Sequence, residues 1–331
     1  MPFFKTLYLK AYYFLYYALF CLLCCILPLN WGYLFIDVKT YITMNRKTVF
    51  ITGAATGIGM VTAQKLDQMG WYVFAGVLPG QNTDALTRQV SERLTVVPVD
   101  ITDETTVKQA AAIVQQLVGH EGLSALINNA GVANIGSGVL EGVAMDEVRR
   151  LFEINVFGTL RVTQAFLPLL HQYGKARIVN MSSGAVRVPV PGAGIYMMTK
   201  SAIEAFTKTL RMELAPFGIT ATAIEPGAVR TPMTHNAEQN LQKDWEKMSA
   251  AIRQKYEQVL QPANKSLVKQ IKAANPPEAI AGVIIHALTV ANPKPRYVAG
   301  KEVRFLPLAQ RLLSETAFEN VLLKQFGLKR Q

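Results

Sequence analysis

The sequence predicts an α/β fold, a doubly wound parallel sheet with helices on both faces, preceded by an apolar N-terminal helix. Three observations carry this. Strand-like apolar runs alternate with helical patterns along the body of the chain, as a parallel sheet covered on both faces requires. A glycine turn, Thr52-Gly53-Ala54-Ala55-Thr56-Gly57-Ile58-Gly59, stands between the first such run and the first helical pattern. An uncharged stretch precedes them both, from Ala11 to Ile36.

That stretch lies between Lys5 and Lys10 on one side and Asp37 and Lys39 on the other. At 1.5 Å rise per residue, roughly 26 residues suffice to cross a hydrocarbon core of about 30 Å. Tyr12, Tyr13, Tyr16 and Tyr17 near one end, with Trp31 and Tyr33 near the other, suit headgroup interfaces. A membrane anchor over residues 1–44 is therefore expected. No small-residue cleavage pattern follows the run, which disfavours a removable signal peptide. Flanking basic residues are nearly balanced and fix no orientation. Cys21, Cys24 and Cys25 all fall inside the run, where they either pack or accept an acyl group. Met44 immediately precedes the first strand, so a product beginning there would be soluble and keep the whole fold.

The main domain is expected over residues 45–300. Strands are read at Thr48–Thr52, Tyr72–Val77, Thr95–Val99, Ala125–Asn128, Arg177–Met181, Thr220–Glu225 and Arg296–Ala299, with helices filling the intervals. One helix begins after Gly57, one runs across Asn155, and one carries Tyr196 to Phe217. In the glycine turn the backbone can approach an anion closely, and a phosphate there is favoured by the free N–H groups and dipole of the helix N-terminus. Ligands gather at the carboxyl ends of such strands.

The helix with Tyr196 carries a second signal. Tyr196 and Lys200 are four residues apart and share one helical face. A phenol ordinarily titrates near pKa ~10. An ammonium about 4 Å away at an effective dielectric near 20 favours the phenolate by roughly 4 kcal/mol before desolvation, enough to make the group useful in acid–base chemistry.

Between Thr231 and Lys272, Trp245, Met248, Ile252, Tyr256, Val259 and Leu260 recur at helical spacing. The stretch from Phe305 to Phe326 is amphipathic, with Leu308, Leu312, Leu313, Val321, Leu322 and Leu323 beside basic residues; within a basic tail, 301–331, it closes a pocket, joins a subunit interface or touches lipid.

Composition excludes several classes. The three cysteines leave no disulfide framework or thiolate metal site in the main domain, and His120, His171, His235 and His286 show no ligand spacing. No metal is expected. The net charge of +11 is concentrated toward the tails, which points to a solvated basic face or an anionic membrane rather than to nucleic acid.

The ordered set of Thr52 to Gly59, Asn128-Asn129-Ala130-Gly131, Asn155, Ser183, Tyr196 with Lys200, and Pro226-Gly227-Ala228-Val229-Arg230-Thr231 resembles the short-chain dehydrogenase/reductase family over roughly residues 47–300. The resemblance implies a Rossmann-type sheet binding NAD or NADP and a proton-transferring Tyr196. It implies that Lys200 lowers the phenol's pKa and binds the nicotinamide ribose, that Ser183 rather than Ser182 holds the substrate oxygen, and that Asn155 shapes the active-site helix. For the cofactor it implies contacts from Thr52, Gly53, Thr56, Gly57, Ile58 and Gly59 and from Asp100 and Ile101 near the adenine. Asn129, Ala130 and Gly131 would lie near the adenosine ribose, and Pro226, Gly227, Val229 and Thr231 at the carboxamide. By the same analogy residues 231–272 cover the substrate and homo-oligomers are expected; the catalytic part is expected to face the cytosol, where nicotinamide cofactors are plentiful.

The end of the second strand, Val77-Leu78-Pro79, shows neither the acid that binds a ribose 2′-hydroxyl nor an Arg for a 2′-phosphate, and lacking the Arg the chain leans to NAD. Val186, Val188, Pro189, Val190, Pro191, Ile195, Met197 and Met198 suggest an apolar pocket wall. The resemblance extends to the branch acting on retinoids, steroids and hydroxybutyrate, and a lipophilic alcohol or ketone is the expected substrate. Two other readings stay open: a cofactor-binding sensor or scaffold without turnover, and a sugar-nucleotide epimerase, which the spacing of Gly53, Gly57 and Gly59 disfavours.

Overall fold

Between threonines at its two ends, Thr48–Thr52 carries Val49, Phe50 and Ile51, and every residue of this first strand, β1, is buried, as a strand covered on both faces must be. The computed structural model describes residues 46–133, 138–235, 237–300 and 303–329. The expected N-terminal membrane helix and the alternative start at Met44 lie outside the described residues. Among those residues no helix is long and apolar enough to cross a membrane.

After β1 come α1 (Gly57–Gln68), β2 (Tyr72–Val77), the single turn α2 (Asp84–Thr87), β3 (Leu94–Pro98), α3 (Glu104–Val118) and β4 (Ala125–Asn128). The second half holds α4 (Met145–Phe152), α5 (Thr159–Tyr173), β5 (Arg177–Met181), α6 (Gly194–Leu214) and β6 (Thr220–Pro226). Four helices follow, α7 (Pro232–His235), α8 (Ala237–Lys247), α9 (Ala250–Lys272) and α10 (Pro277–Thr289), before β7 (Arg296–Ala299), α11 (Leu306–Leu312) and α12 (Glu315–Gln325).

All seven strands pair in parallel in the order β3-β2-β1-β4-β5-β6-β7. The chain winds outward from β1 to β3, then returns to lay β4 on the other side of β1. The crevice beyond the carboxyl ends of β1 and β4 is thus the switch point where such sheets bind ligands. Alternation along β1 divides the interior in two. Val49 and Ile51 pack with Ala63 and Leu66 of α1 and Ile280 and Ile284 of α10. Phe50 faces the opposite layer, where its ring stacks on Phe166 of α5 at 4.1 Å.

Four boundaries differ from the sequence reading, and the smallest change is in β6, which runs one residue further, to Pro226. β3 is displaced by one residue and includes Pro98, which an edge strand tolerates because its missing N–H deprives no neighbour. The helix expected across Asn155 is interrupted by a π-helical segment, Glu153–Gly158, between α4 and α5. The stripe from Trp245 to Leu260 is cut where Ser249 caps α9 by accepting the Ile252 N–H. At the C-terminus, Leu322 and Phe326 are buried in one cluster with Ala263 of α9, so this segment packs on the body of the fold.

Candidate active site

The backbone of the glycine turn sets the floor of the crevice. Gly53 sits at φ +65° and Gly57 at +58°, a region that side chains rarely adopt. A Cβ on Gly59 would lie 2.4 Å from the Gly53 carbonyl oxygen and 2.5 Å from Asn129 Nδ2, so only glycine lets α1 press this closely on the turn. α1 opens at Thr56 without a side-chain cap and with no acid in its first turn, which leaves its leading N–H groups suited to an anion.

β1 and β4 are locked together at their ends. Thr52 Oγ1 accepts the N–H groups of Asn129 and Ala130 at 3.0 Å each, while Asn129 Nδ2 donates to the carbonyls of Thr52 and Gly53 at 2.9 and 3.1 Å. A cavity of about 1090 Å³ opens above them. Gly53, Thr56, Gly57 and Ile58 line one end, and Asp100 and Ile101 flank it with Asn129, Ala130 and Gly131. Pro226, Gly227, Val229 and Thr231 form the far rim. Thr52, Gly59 and Asn155 are not among its lining residues; they hold the wall from behind. Asp100 is partly engaged, since its Oδ1 accepts the Thr102 N–H and hydroxyl at 2.9 and 2.7 Å, while the cap of α3 is Asp103.

Ser183, Tyr196 and Lys200 meet on the cavity wall. Ser183 follows β5 and turns the chain, its Oγ accepting the Ala185 N–H at 3.1 Å. Its hydroxyl is also hydrogen-bonded to the Tyr196 phenol. Burial pushes that phenol's pKa up, and the Ser183 hydrogen bond draws it partly back. Burial lowers Lys200 to about 8.

The expected lowering of the phenol by Lys200 is not what these positions produce. The ammonium lies 5.9 Å from the Tyr196 ring centroid and donates to the Met181 carbonyl at 2.9 Å. Directed at a backbone acceptor, it leaves desolvation dominant at the phenol.

Asn155 reaches this group through the π segment. Almost fully buried, it takes the Val132 N–H on Oδ1 and donates Nδ2 to the Val132 carbonyl, both at 2.9 Å, and to Thr199 Oγ1 at 3.2 Å. The extra residue per turn swings Asn155 toward the loop after β4, tying it to the helix turn between Tyr196 and Lys200.

The apolar wall differs in part from expectation. Val188 and Val190 line the cavity, but Ile195 is buried elsewhere, Met198 is exposed and Met197 Sδ accepts the Val190 N–H at 3.4 Å. Leu241, Leu267, Ile271, Val303 and Leu306 supply the remaining apolar surface from α8, α9 and the C-terminal segment.

Sequence reading missed the charges behind the wall. Glu225, fully buried at the end of β6, forms a bidentate pair with Arg187, four residues after Ser183, with one bond at 2.9 Å; Arg296 stands 3.6 Å away. Glu204, one turn beyond Lys200, is buried beside Ser182 with Arg296 at 4.0 Å, and burial raises its pKa. A carboxylate on the buried face of the Tyr196 helix, and another inside the apolar strand Ala223-Ile224-Glu225, were the available signals.

The arrangement can seat an elongated anionic ligand against a helix N-terminus and present a phenol, a hydroxyl and an amine to its far end. Residues 47–242 match the short chain dehydrogenase family. The chain is 36% identical over 279 residues to mouse retinol dehydrogenase 5, covering 83% of this chain and 87% of that one. It is 35% identical over 263 residues to bovine 17-beta-hydroxysteroid dehydrogenase type 6, covering 78% and 82%. Among solved structures it superposes on a short-chain dehydrogenase from Streptomyces avermitilis with a TM-score of 0.66 at 25% identity, over 86% of this chain and 96% of that one.

Proposed function

Because the chain belongs to the short chain dehydrogenase family, we propose that it is an NAD(P)-dependent oxidoreductase interconverting an alcohol with a ketone or aldehyde on a lipophilic substrate. The observation that carries this reading is the meeting of Ser183, Tyr196 and Lys200 on one cavity whose opposite end is a glycine-built helix N-terminus.

The crevice suits a dinucleotide. The uncapped start of α1 favours a pyrophosphate, and Gly53 and Gly59 occupy positions where a Cβ would collide with neighbouring backbone. A bound nicotinamide dinucleotide supplies or accepts the hydride. The residues of this chain do the rest. Tyr196 Oη gives a proton to the carbonyl oxygen in reduction and takes it from the hydroxyl in oxidation. The Ser183 hydroxyl holds the same oxygen and supports the phenolate by its hydrogen bond to it. Lys200, anchored on the Met181 carbonyl, would donate its other N–H groups to the cofactor's ribose, and Asn155 fixes the helix turn that carries both side chains. Asp100 and Ile101 would bound the adenine of a dinucleotide, and Pro226, Gly227, Val229 and Thr231 on the opposite rim would hold its carboxamide.

Leu78 and Gln81 line the crevice past β2, where neither offers a charge to a 2′-phosphate; of NAD and NADP, this favours NAD. Retinol and hydroxysteroid dehydrogenases among the relatives support a lipophilic substrate, as do Val188, Val190, Leu241 and Leu267 on the cavity wall. In this reading residues 1–44 anchor the chain, 45–300 carry the chemistry facing the cytosol, and the protein is a homo-oligomer.

The test is a panel of lipophilic and short polar alcohols with both cofactors, followed by nicotinamide absorbance. We expect turnover confined to lipophilic substrates and tighter binding of NAD. Turnover of short polar alcohols alone would refute the substrate assignment, and a tenfold preference for NADP would refute the cofactor assignment.

A further inference from the structure

We propose that the C-terminal helix α11 lies in the plane of an anionic membrane surface, with Phe305, Leu308 and Leu312 inserted among the lipids. These three residues are 65%, 55% and 72% exposed. Spaced three and four apart, they fall on one helical face, so the fold leaves a contiguous apolar stripe without a protein partner. Its neighbour Leu322 on α12 is by contrast buried with Ala263, so the segment holds its inner face in the protein and presents its outer one.

The surroundings of the stripe select the occupant. Arg304 stacks its guanidinium 5.3 Å from the Phe305 ring centroid, and Arg311 is exposed on the same short helix. Six basic residues and three acidic ones occupy positions 301–331. An apolar stripe edged by arginines matches an interfacial helix over anionic headgroups, with the cations at phosphate depth and the apolar side chains below. A second copy of this basic surface would place like charges against each other. Seven residues are too few to span, so the helix lies flat.

Position adds a consequence. Val303, Leu306 and Gln325 line the large cavity, so the same segment forms its rim and a docked membrane would meet the cavity there. Direct entry of a lipid-dissolved substrate by this route rests on the proposed lipophilic substrate; the docking itself does not.

The test uses the full chain in phosphatidylcholine–phosphatidylserine vesicles containing a dibrominated phosphatidylcholine. Leu308→Trp and Leu312→Trp each add an indole to the stripe, and Leu117→Trp adds one at a comparably exposed position, 50%, on α3. After subtraction of the unmodified chain's emission, we expect the added signal at 308 and 312 to fall by about half and that at 117 to stay unchanged. We also expect Arg304→Gln with Arg311→Gln to reduce the quenching severalfold. Equal quenching at 308, 312 and 117, or none at any, would overturn the proposal. So would light scattering showing that Leu308→Glu with Leu312→Glu dissociates an oligomer, which would assign the stripe to a second copy. Quenching is read without turnover, so an inactive protein would count against the proposed activity and leave the docking result standing.

Discussion

The protein places an ammonium where it is expensive to keep. Lys200 is buried on α6, and its pKa falls from the ordinary lysine value to about 8 because burial disfavours the charge. Between about pH 8 and pH 10.5 the unfolded chain therefore binds more protons than the folded one, so stability rises with pH across that window. Below it the full cost of roughly 3 kcal/mol is present. Lys200→Met removes the charge but also leaves the Met181 carbonyl without its donor, at about 1 kcal/mol. The variant should then be about 2 kcal/mol more stable than the native chain at neutral pH, with the difference closing toward about pH 10.5; thermal melts at several pH values check this. A deficit for the variant at neutral pH would show the ammonium to be structural. At this scale the sequence disclosed which side chains gather, since Tyr196 and Lys200 share a face by spacing alone. It did not disclose the balance between them, because whether an amine addresses a phenol or the Met181 carbonyl depends on a few ångströms fixed by β5.

Elements bring the chemistry together, and a buried charge cluster joins three of them, β6, β7 and α6. Arg187 lies four residues after Ser183 and pairs with Glu225, the penultimate residue of β6, while Arg296 of β7 stands near both Glu225 and Glu204 of α6. Gln310 of α11 adds a tie, since Arg187 Nη1 donates to its Oε1 and its Nε2 donates to the Arg187 carbonyl, each at 3.0 Å. Arg187→Leu would strand the fully buried Glu225 carboxylate with only Arg296 nearby. We expect a loss of about 3 kcal/mol in denaturant unfolding, and recovery of more than half of it in Arg187→Leu with Glu225→Leu, because two apolar side chains remove the unpaired charge. An additive pair of losses would contradict this. β1, β2, β4 and β5 were legible to the residue, because buried parallel strands read as largely apolar runs; edge strand β7 was legible too, though Arg296 at its start is exposed. The π segment around Asn155 was not, since its cause is a set of partners, Val132 and Thr199, on remote parts of the chain.

For the whole molecule, topology decides what can meet. Returning from β3 to β4 places the glycine turn beside Asn129-Ala130-Gly131, and it brings Ser183, Tyr196 and Thr231 to the same end of the sheet. The order of motifs along the sequence was enough to anticipate that crevice, because the glycine turn, Asn129-Ala130-Gly131, Ser183 and the loop from Pro226 each follow a strand's carboxyl end. For the roof it offered only regions, 231–272 by resemblance and the amphipathic tail as one of three readings; which side chains of α8, α9 and the C-terminal segment face the cavity, Leu241, Leu267 and Leu306 among them, depends on contacts between residues far apart in sequence. The central claim is that the Tyr196 phenol moves the proton while the crevice independently binds the dinucleotide. Tyr196→Phe keeps the ring and removes the oxygen. Measured side by side for the native and variant chains, cofactor binding and turnover of a lipophilic alcohol should separate, with affinity unchanged within a few-fold and turnover lower by roughly 10² or more. Near-native turnover in the variant would contradict the claim.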